Sequence, residues 1–219
     1  MGSRVRRETL LRVSCDKFPC MASDHYFTAQ PAGEAAFRTI TVTLAGRTLT
    51  VTTAGGVFSP EHLDTGTRVL LERVPAPPAT GDLLDLGCGW GPIAISLALQ
   101  APDATVWAVD VNERALDLVR RNVARLGLTN VRAVLPDQVP DEMRFATIWS
   151  NPPIRIGKAE LHALLASWLP RLDDDAQAWL VVAKQLGADS LQRWIADELG
   201  FAVERAETSK GFRVLEARR

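Results

Sequence analysis

The ten residues LLDLGCGWGP, positions 83–92, constrain the fold more than any other stretch of this 219-residue chain. An apolar run ends on Asp85. Gly87, Gly89 and Gly91 follow at alternate positions, and Pro92 then leads into IAISLALQ. Glycine permits positive φ and close backbone approach, and proline is well tolerated in the first turn of a helix. The pattern predicts a buried strand, a tight turn and a helix. Open α/β sheets bind ligands at such a place, beyond the carboxyl end of the strand and against a helix N-terminus. The dinucleotide fingerprint is G-x-G-x-x-G. Here the spacing is G-x-G-x-G, and Asp85 at the strand end suits a cationic ligand group better than a pyrophosphate. A nicotinamide oxidoreductase is therefore disfavoured.

From Gly81 onward apolar runs of strand length alternate with stretches of helical spacing. TVWAVD reads as a strand, and Asn112 and Glu113 open a helix with Leu116, Val119, Val123 and Leu126 on one face. VRAVL and FATIWS are strands, a helix covers Leu161 to Leu169, AWLVVA is a strand, and a helix near 191–199 precedes two last strands. Such alternation predicts an α/β, doubly wound, mainly parallel sheet. Upstream, Ile40, Val42 and Leu44, then Leu49 and Val51, alternate with polar residues on either side of AGR, a β-hairpin signal. LDTGTRVLLERV carries helical spacing, and PAPPAT is a stiff linker. The expected organisation is a weakly structured tail over 1–23, a hairpin-and-helix extension over 24–80, and the main domain over 81–219.

Net charge is −1, so the surface is not broadly basic and bulk nucleic-acid binding is not expected. Residues 1–20 carry about +3, leaving about −4 for the rest. No apolar run approaches the length of a membrane span, and no secretory signal is visible, so a cytoplasmic location is expected. Cys15, Cys20 and Cys88 do not make a disulfide framework, and His25, His62 and His162 lack metal-ligand spacing, so no metal is expected.

Two further positions carry chemistry. Asp110 ends TVWAVD, where a carboxylate can accept both hydroxyls of a ribose. The competing role, capping the next helix, is already filled by Asn112. The second is SNPPI, positions 150–154. Two prolines directly after a strand remove two donors and fix two φ angles, so Asn151 is held stiffly at the strand end. Arg155 and Lys158 follow, where they could reach phosphates as readily as lie in solvent, and Gly157 opens a helix whose N-terminus favours anions.

DLGCGWG, the VD at the next strand end and SNPPI together resemble class I S-adenosylmethionine-dependent methyltransferases. SNPPIRIGK with the upstream GVFSPEHLDTGTRVLLE is similar to the small-subunit ribosomal RNA guanine-N2 methyltransferases, over about residues 24–219. The resemblance implies a seven-stranded Rossmann-like sheet and S-adenosylmethionine as cofactor. It places Asp85, Gly87, Cys88, Gly89 and Gly91 at the methionine part, Asp110 at the ribose, Val111 and Asn151 among the cofactor-binding residues, and Asp137 at the adenine, the alternative being an acid that merely caps a turn. It also implies that the Asn151 side-chain carbonyl and the Pro152 backbone carbonyl each accept an N–H of an exocyclic amine, with Pro153 and Ile154 completing the catalytic loop. Ile154 stands where many Asn-Pro-Pro enzymes carry an aromatic. The implied activity is methyl transfer to guanine N2 in ribosomal RNA or the small ribosomal subunit, with Arg155, Lys158, Lys184 and Arg213 on substrate phosphates. Phe58, Thr67 and Lys210 are placed in the same cleft by resemblance alone. Rival readings are a protein glutamine or adenine N-methyltransferase, or a non-catalytic RNA-binding assembly factor of the same fold.

Overall fold

The computed structural model describes residues 36–219, so the tail expected over 1–23 lies outside the described residues. Strands β1 (Phe37–Leu44) and β2 (Arg47–Ala54) form an antiparallel hairpin. Its turn is Ala45–Gly46, both at positive φ (46° and 73°), which suits the right-handed twist of the paired strands. Arg47, expected in the turn, is the first residue of β2. Helix α1 (Thr65–Arg73) follows, and after it the main sheet alternates with helices: β3 (Asp82–Leu86), α2 (Pro92–Gln100), β4 (Thr105–Val109), α3 (Glu113–Leu126), β5 (Val131–Val134), β6 (Phe145–Ser150), α4 (Lys158–Trp168), β7 (Leu172–Ala183), α5 (Ala188–Leu199), β8 (Ala202–Ser209) and β9 (Phe212–Arg218).

The seven strands lie in the order β5-β4-β3-β6-β7-β9-β8. Neighbours from β5 to β7 are parallel, while β9 is antiparallel to both β7 and β8. The order reverses between β3 and β6, and their carboxyl ends form the switch point. Both faces of the sheet are covered, which is why its strands read as continuous apolar runs. Leu83, Trp149, Trp179 and Val214 face a core built with α1, α2, α3 and the hairpin. Leu84, Ile148, Leu180 and Leu215 face the core under α4 and α5. The hairpin residues Val42, Leu44 and Val51 belong to the same buried cluster as Ile93 and Leu116. Strand β7 begins six residues earlier than its apolar run, because Leu172 pairs with Phe145 across a bulge that the exposed Asp173–Asp175 stretch absorbs.

Polar bonds also tie the hairpin down. The buried Asn122 side chain on α3 accepts the Thr52 N–H (2.7 Å) and donates to the Thr52 carbonyl (3.0 Å) and the Trp90 carbonyl (3.1 Å). An amide that exchanges both bonds with one backbone residue stands in for a missing neighbouring strand. Asn112 Nδ2 donates to the Gly56 carbonyl and Trp90 Nε1 to the Ser59 carbonyl, fixing the loop that leads to α1.

Candidate active site

The glycine turn is held over the end of β4. The N–H groups of Gly87 and Cys88 both donate to the Val109 carbonyl (2.8 and 3.1 Å), and Gly89 N–H donates to Asp110 Oδ2 (2.9 Å). Gly91 then caps α2 at φ 93°. A Cβ there would also meet Val119 Cγ2 at 3.0 Å, so both conformation and packing against α3 call for glycine. Asn112 caps α3 by accepting the Arg114 N–H (3.0 Å), leaving Asp110 free of that task. Asp110 Oδ1 accepts the Asn112 N–H (2.9 Å), so each carboxylate oxygen holds one backbone N–H and keeps lone-pair capacity. Burial pushes its acidity down, and the N–H groups of Asn112, Gly89 and Val111 partly offset this.

The second loop meets the first. Asp85 pairs in register with Trp149, and Ser150 Oγ donates to the Leu86 carbonyl (2.7 Å), locking the ends of β6 and β3 together. A Cβ on Gly87 would lie 3.8 Å from Pro153 Cδ. Beyond Ser150 the chain makes an inverse γ-turn centred on Pro153 (φ −74°, ψ 74°), in which Ile154 N–H donates to the Pro152 carbonyl (2.8 Å). One lone pair of that carbonyl is therefore already in use. Asn151 Nδ2 donates to Asp64 Oδ2 (2.9 Å) and to Thr67 Oγ1 (3.0 Å) across the start of α1.

These loops enclose a cleft of about 530 Å³. Gly87, Gly89, Asp110 and Val111 form one wall, and Asn151, Pro152, Pro153 and Ile154 form another. Phe58, Leu186, Phe212 and Trp168 add apolar surface, and Asp64 a second carboxylate. Not every expected residue reaches this wall. Gly91 lies behind it as a helix cap, and Cys88 is a buried thiol whose ionisation is opposed by burial and by the charges of Asp110 and Asp85. Asp137 is exposed on a turn whose Pro136, rather than the acid, lines the cleft. Lys158 and Lys184 are exposed, Lys184 next to the lining residues Ala183 and Gln185. Arg155 belongs to the short turn Ile154–Ile156. Arg213 is buried and ion-paired with Asp189 on α5, and Lys210 lies 3.9 Å from Glu72. Thr67 is buried behind Asn151. Asp64 is the residue that the sequence reading missed. Its one visible signal was a capping acid just before the helix in LDTGT.

Asp85 also sits behind the wall, with no exposed surface. Its Oδ2 accepts the Ala94 N–H (2.8 Å), and its Oδ1 has no partner. Burial pushes this carboxyl up to about 8, a rise that the Ala94 N–H opposes and the nearby Asp110 adds to. The folded state thus binds the proton more tightly than the unfolded chain. The associated stability is fully present below about pH 4 and is lost as pH rises towards 8, on the order of 5 kcal/mol over the whole window. Asp85→Asn keeps an acceptor for Ala94 and removes the titration. Its thermal midpoint is expected to overtake that of the wild type as pH rises from 5 to 9, by calorimetry. Parallel profiles for the two proteins would show that Asp85 is ionised without penalty.

A parallel sheet with this strand order, an antiparallel seventh strand and a ligand-sized cleft at the switch point define a Rossmann-like methyltransferase architecture. A family model for the methyltransferase small domain matches residues 48–216, and the chain belongs to that family. It is similar to the uncharacterized protein YbxB of Bacillus subtilis, 35% identical over 200 residues that cover 90% of this chain and 99% of that one. It is also similar to ribosomal RNA small subunit methyltransferase C of Aeromonas hydrophila, 39% identical over 125 residues, 56% of this chain and 35% of that one. The match thus spans about a third of that relative's length. Among solved structures, the Thermus thermophilus 16S rRNA N2 G1207 methyltransferase, in complex with AdoMet and guanosine, superposes with a TM-score of 0.73 at 23% identity. That likeness covers 86% of this chain and 52% of the other and concerns the fold.

Proposed function

We propose that this protein transfers a methyl group from S-adenosylmethionine to an exocyclic amine, foremost guanine N2 in ribosomal RNA, and does so in the cytoplasm. The observation that carries this reading is the Asn151 amide. Both of its N–H donors are spent on Asp64 and Thr67, so what it offers a substrate is its carbonyl oxygen, an acceptor on the wall of the cleft. An acceptor there suits a substrate nitrogen that carries N–H. An exocyclic amine is a poor nucleophile because its lone pair is shared with the ring. Holding its protons in fixed directions turns that lone pair towards the methyl donor, and the same oxygen stabilises the positive charge that grows on nitrogen. The remaining lone pair of the Pro152 carbonyl can take the second N–H. No base is needed before attack, because the proton leaves afterwards.

The donor set also fits the cofactor. Asp110 offers an oxygen to each hydroxyl of a ribose, and the backbone of Gly87 and Gly89 permits close approach of a flat, partly apolar ligand. When bound, S-adenosylmethionine supplies an electrophilic methyl on a sulfonium. The apolar residues Phe58, Leu186 and Phe212 offer surfaces for a base, a part that Ile154 cannot play as an aromatic would. Lys158 and Lys184, both exposed, together with Arg155, are our candidates for phosphate contacts; Arg213 is a further one, although it is paired with Asp189. The small-subunit methyltransferase C relatives act on ribosomal RNA by their names, which favours the same substrate class here.

The test is to incubate the protein with labelled S-adenosylmethionine and ribosomal RNA or small subunits, then to identify the methylated nucleoside by mass spectrometry. N2-methylguanosine is expected. Label on a protein glutamine, or on adenine, would replace this substrate while keeping the chemistry. Failure to bind S-adenosylmethionine would sink the reading altogether.

A further inference from the structure

We infer that Asp64 and Thr67 form a positioning pair that fixes which face of the Asn151 amide is presented to the substrate. The inference rests on the reading of Asn151 as an acceptor for an amine. An asparagine side chain has two nearly isosteric orientations, related by a half-turn about its last bond, and they offer opposite chemistry. With oxygen towards the cleft it accepts an N–H. With nitrogen towards the cleft it confronts the amine with another donor.

The surroundings of Asn151 decide between them. Asp64 Oδ2 lies 2.9 Å from Nδ2 and already accepts the Thr67 N–H at 3.0 Å, so this oxygen acts as an acceptor towards both. Thr67 Oγ1, 3.0 Å from Nδ2, takes the second amide proton. Turning the amide over would set its carbonyl oxygen against the Asp64 carboxylate oxygen, an acceptor facing an acceptor; the Thr67 hydroxyl, able to donate or accept, holds the amide in whichever orientation Asp64 selects. Thr67 is itself buried, so water does not readily replace the lost partner. The acceptors come from the N-terminus of α1, which lies 84 and 87 positions before Asn151 in sequence. Gly66 makes room for the arrangement: a Cβ there would lie 2.8 Å from Phe212 Cε1 and 3.0 Å from Asp64 Oδ2. The amine-reading atom just beyond β6 is thus set by a helix outside the alternating β/α part of the chain.

The experiment uses Thr67→Val, which keeps shape and removes the acceptor, and Asp64→Ser, which keeps a cap for α1 but is too short to reach Asn151. Each is made in the wild type and in the Asn151→Ala background. In the wild type, Thr67→Val is expected to lower kcat about tenfold, as for loss of one partly buried hydrogen bond, with KM and cofactor affinity unchanged and the melting temperature lowered by no more than a few degrees. In the Asn151→Ala background neither substitution should lower turnover further. An unchanged kcat, or the same loss in both backgrounds, overturns the proposal. Side-chain amide exchange of Asn151, assigned by its absence in Asn151→Ala, gives a readout that needs no substrate. Slow exchange in the wild type and fast exchange in Thr67→Val supports the pair. Exchange as fast as that of an exposed asparagine in the wild type overturns it. Lack of methyl transfer to any RNA by the wild type would overturn the substrate reading alone, and the exchange measurement would still decide on the pair.

Discussion

Methyl transfer by the Asn151→Ala variant is expected to fall by about a hundredfold or more, as for loss of a preorganised polar group at a reacting centre. Cofactor affinity and KM should change little. Asp110 and the glycine turn do not depend on the amide, whereas the oxygen that aligns the amine does. The folded structure should survive, because the strand end is held by Ser150 on the Leu86 carbonyl and the turn by Ile154 on Pro152, both independent of the Asn151 side chain. Single-turnover transfer of labelled methyl, with binding followed by calorimetry, separates the two quantities. Activity equal to that of the wild type would reduce Asn151 to a corner residue.

A large loss of stability is expected on replacing Asn122, which lies on α3 and does not line the cleft. Asn122→Ala removes three hydrogen bonds from a side chain with no exposed surface. It strands the Thr52 N–H, the Thr52 carbonyl and the Trp90 carbonyl, and it leaves a small void between α3 and the hairpin. A cost of about 3 kcal/mol follows from unmet buried polar groups. Urea unfolding followed by circular dichroism should show a lower midpoint with the slope little changed. A midpoint like that of the wild type would mean that water satisfies the freed groups and that the hairpin docks through its apolar residues alone.

The two cases differ in how far the sequence revealed them. The sheet was legible because a strand covered on both faces is written as a continuous apolar run, and because Gly87, Gly89 and Gly91 mark a turn that few other residues could make. Asp110 and Asn151 were legible because each ends such a run. Asn122 was not. It lies on α3 near the apolar positions Val119 and Val123, and its partner strand is 70 positions away, so nothing local distinguishes it from a solvent-facing amide. Asp64 was hidden for the same reason, since a capping acid explains itself locally and its second task depends on β6. Arg213 shows the opposite case. The resemblance alone put it on substrate phosphates, and only the packing of α5 on β9 reveals Asp189 as its partner.

The placement of β9 has a consequence for how the sheet is assembled. Among the described residues, β8 pairs with β9 alone, and β9 is inserted between β8 and β7. Until residues 212–218 are in place, β8 has nothing to join, and β7 presents a bare edge carrying Leu180, Val181 and Val182. An uncovered apolar edge of that kind is a template for pairing with another chain. Strand β9 therefore acts as a seal. It completes the sheet, brings Phe212 to the cleft and withdraws the apolar β7 edge from other partners. While that edge is open it invites pairing with another chain, and β9 closes it.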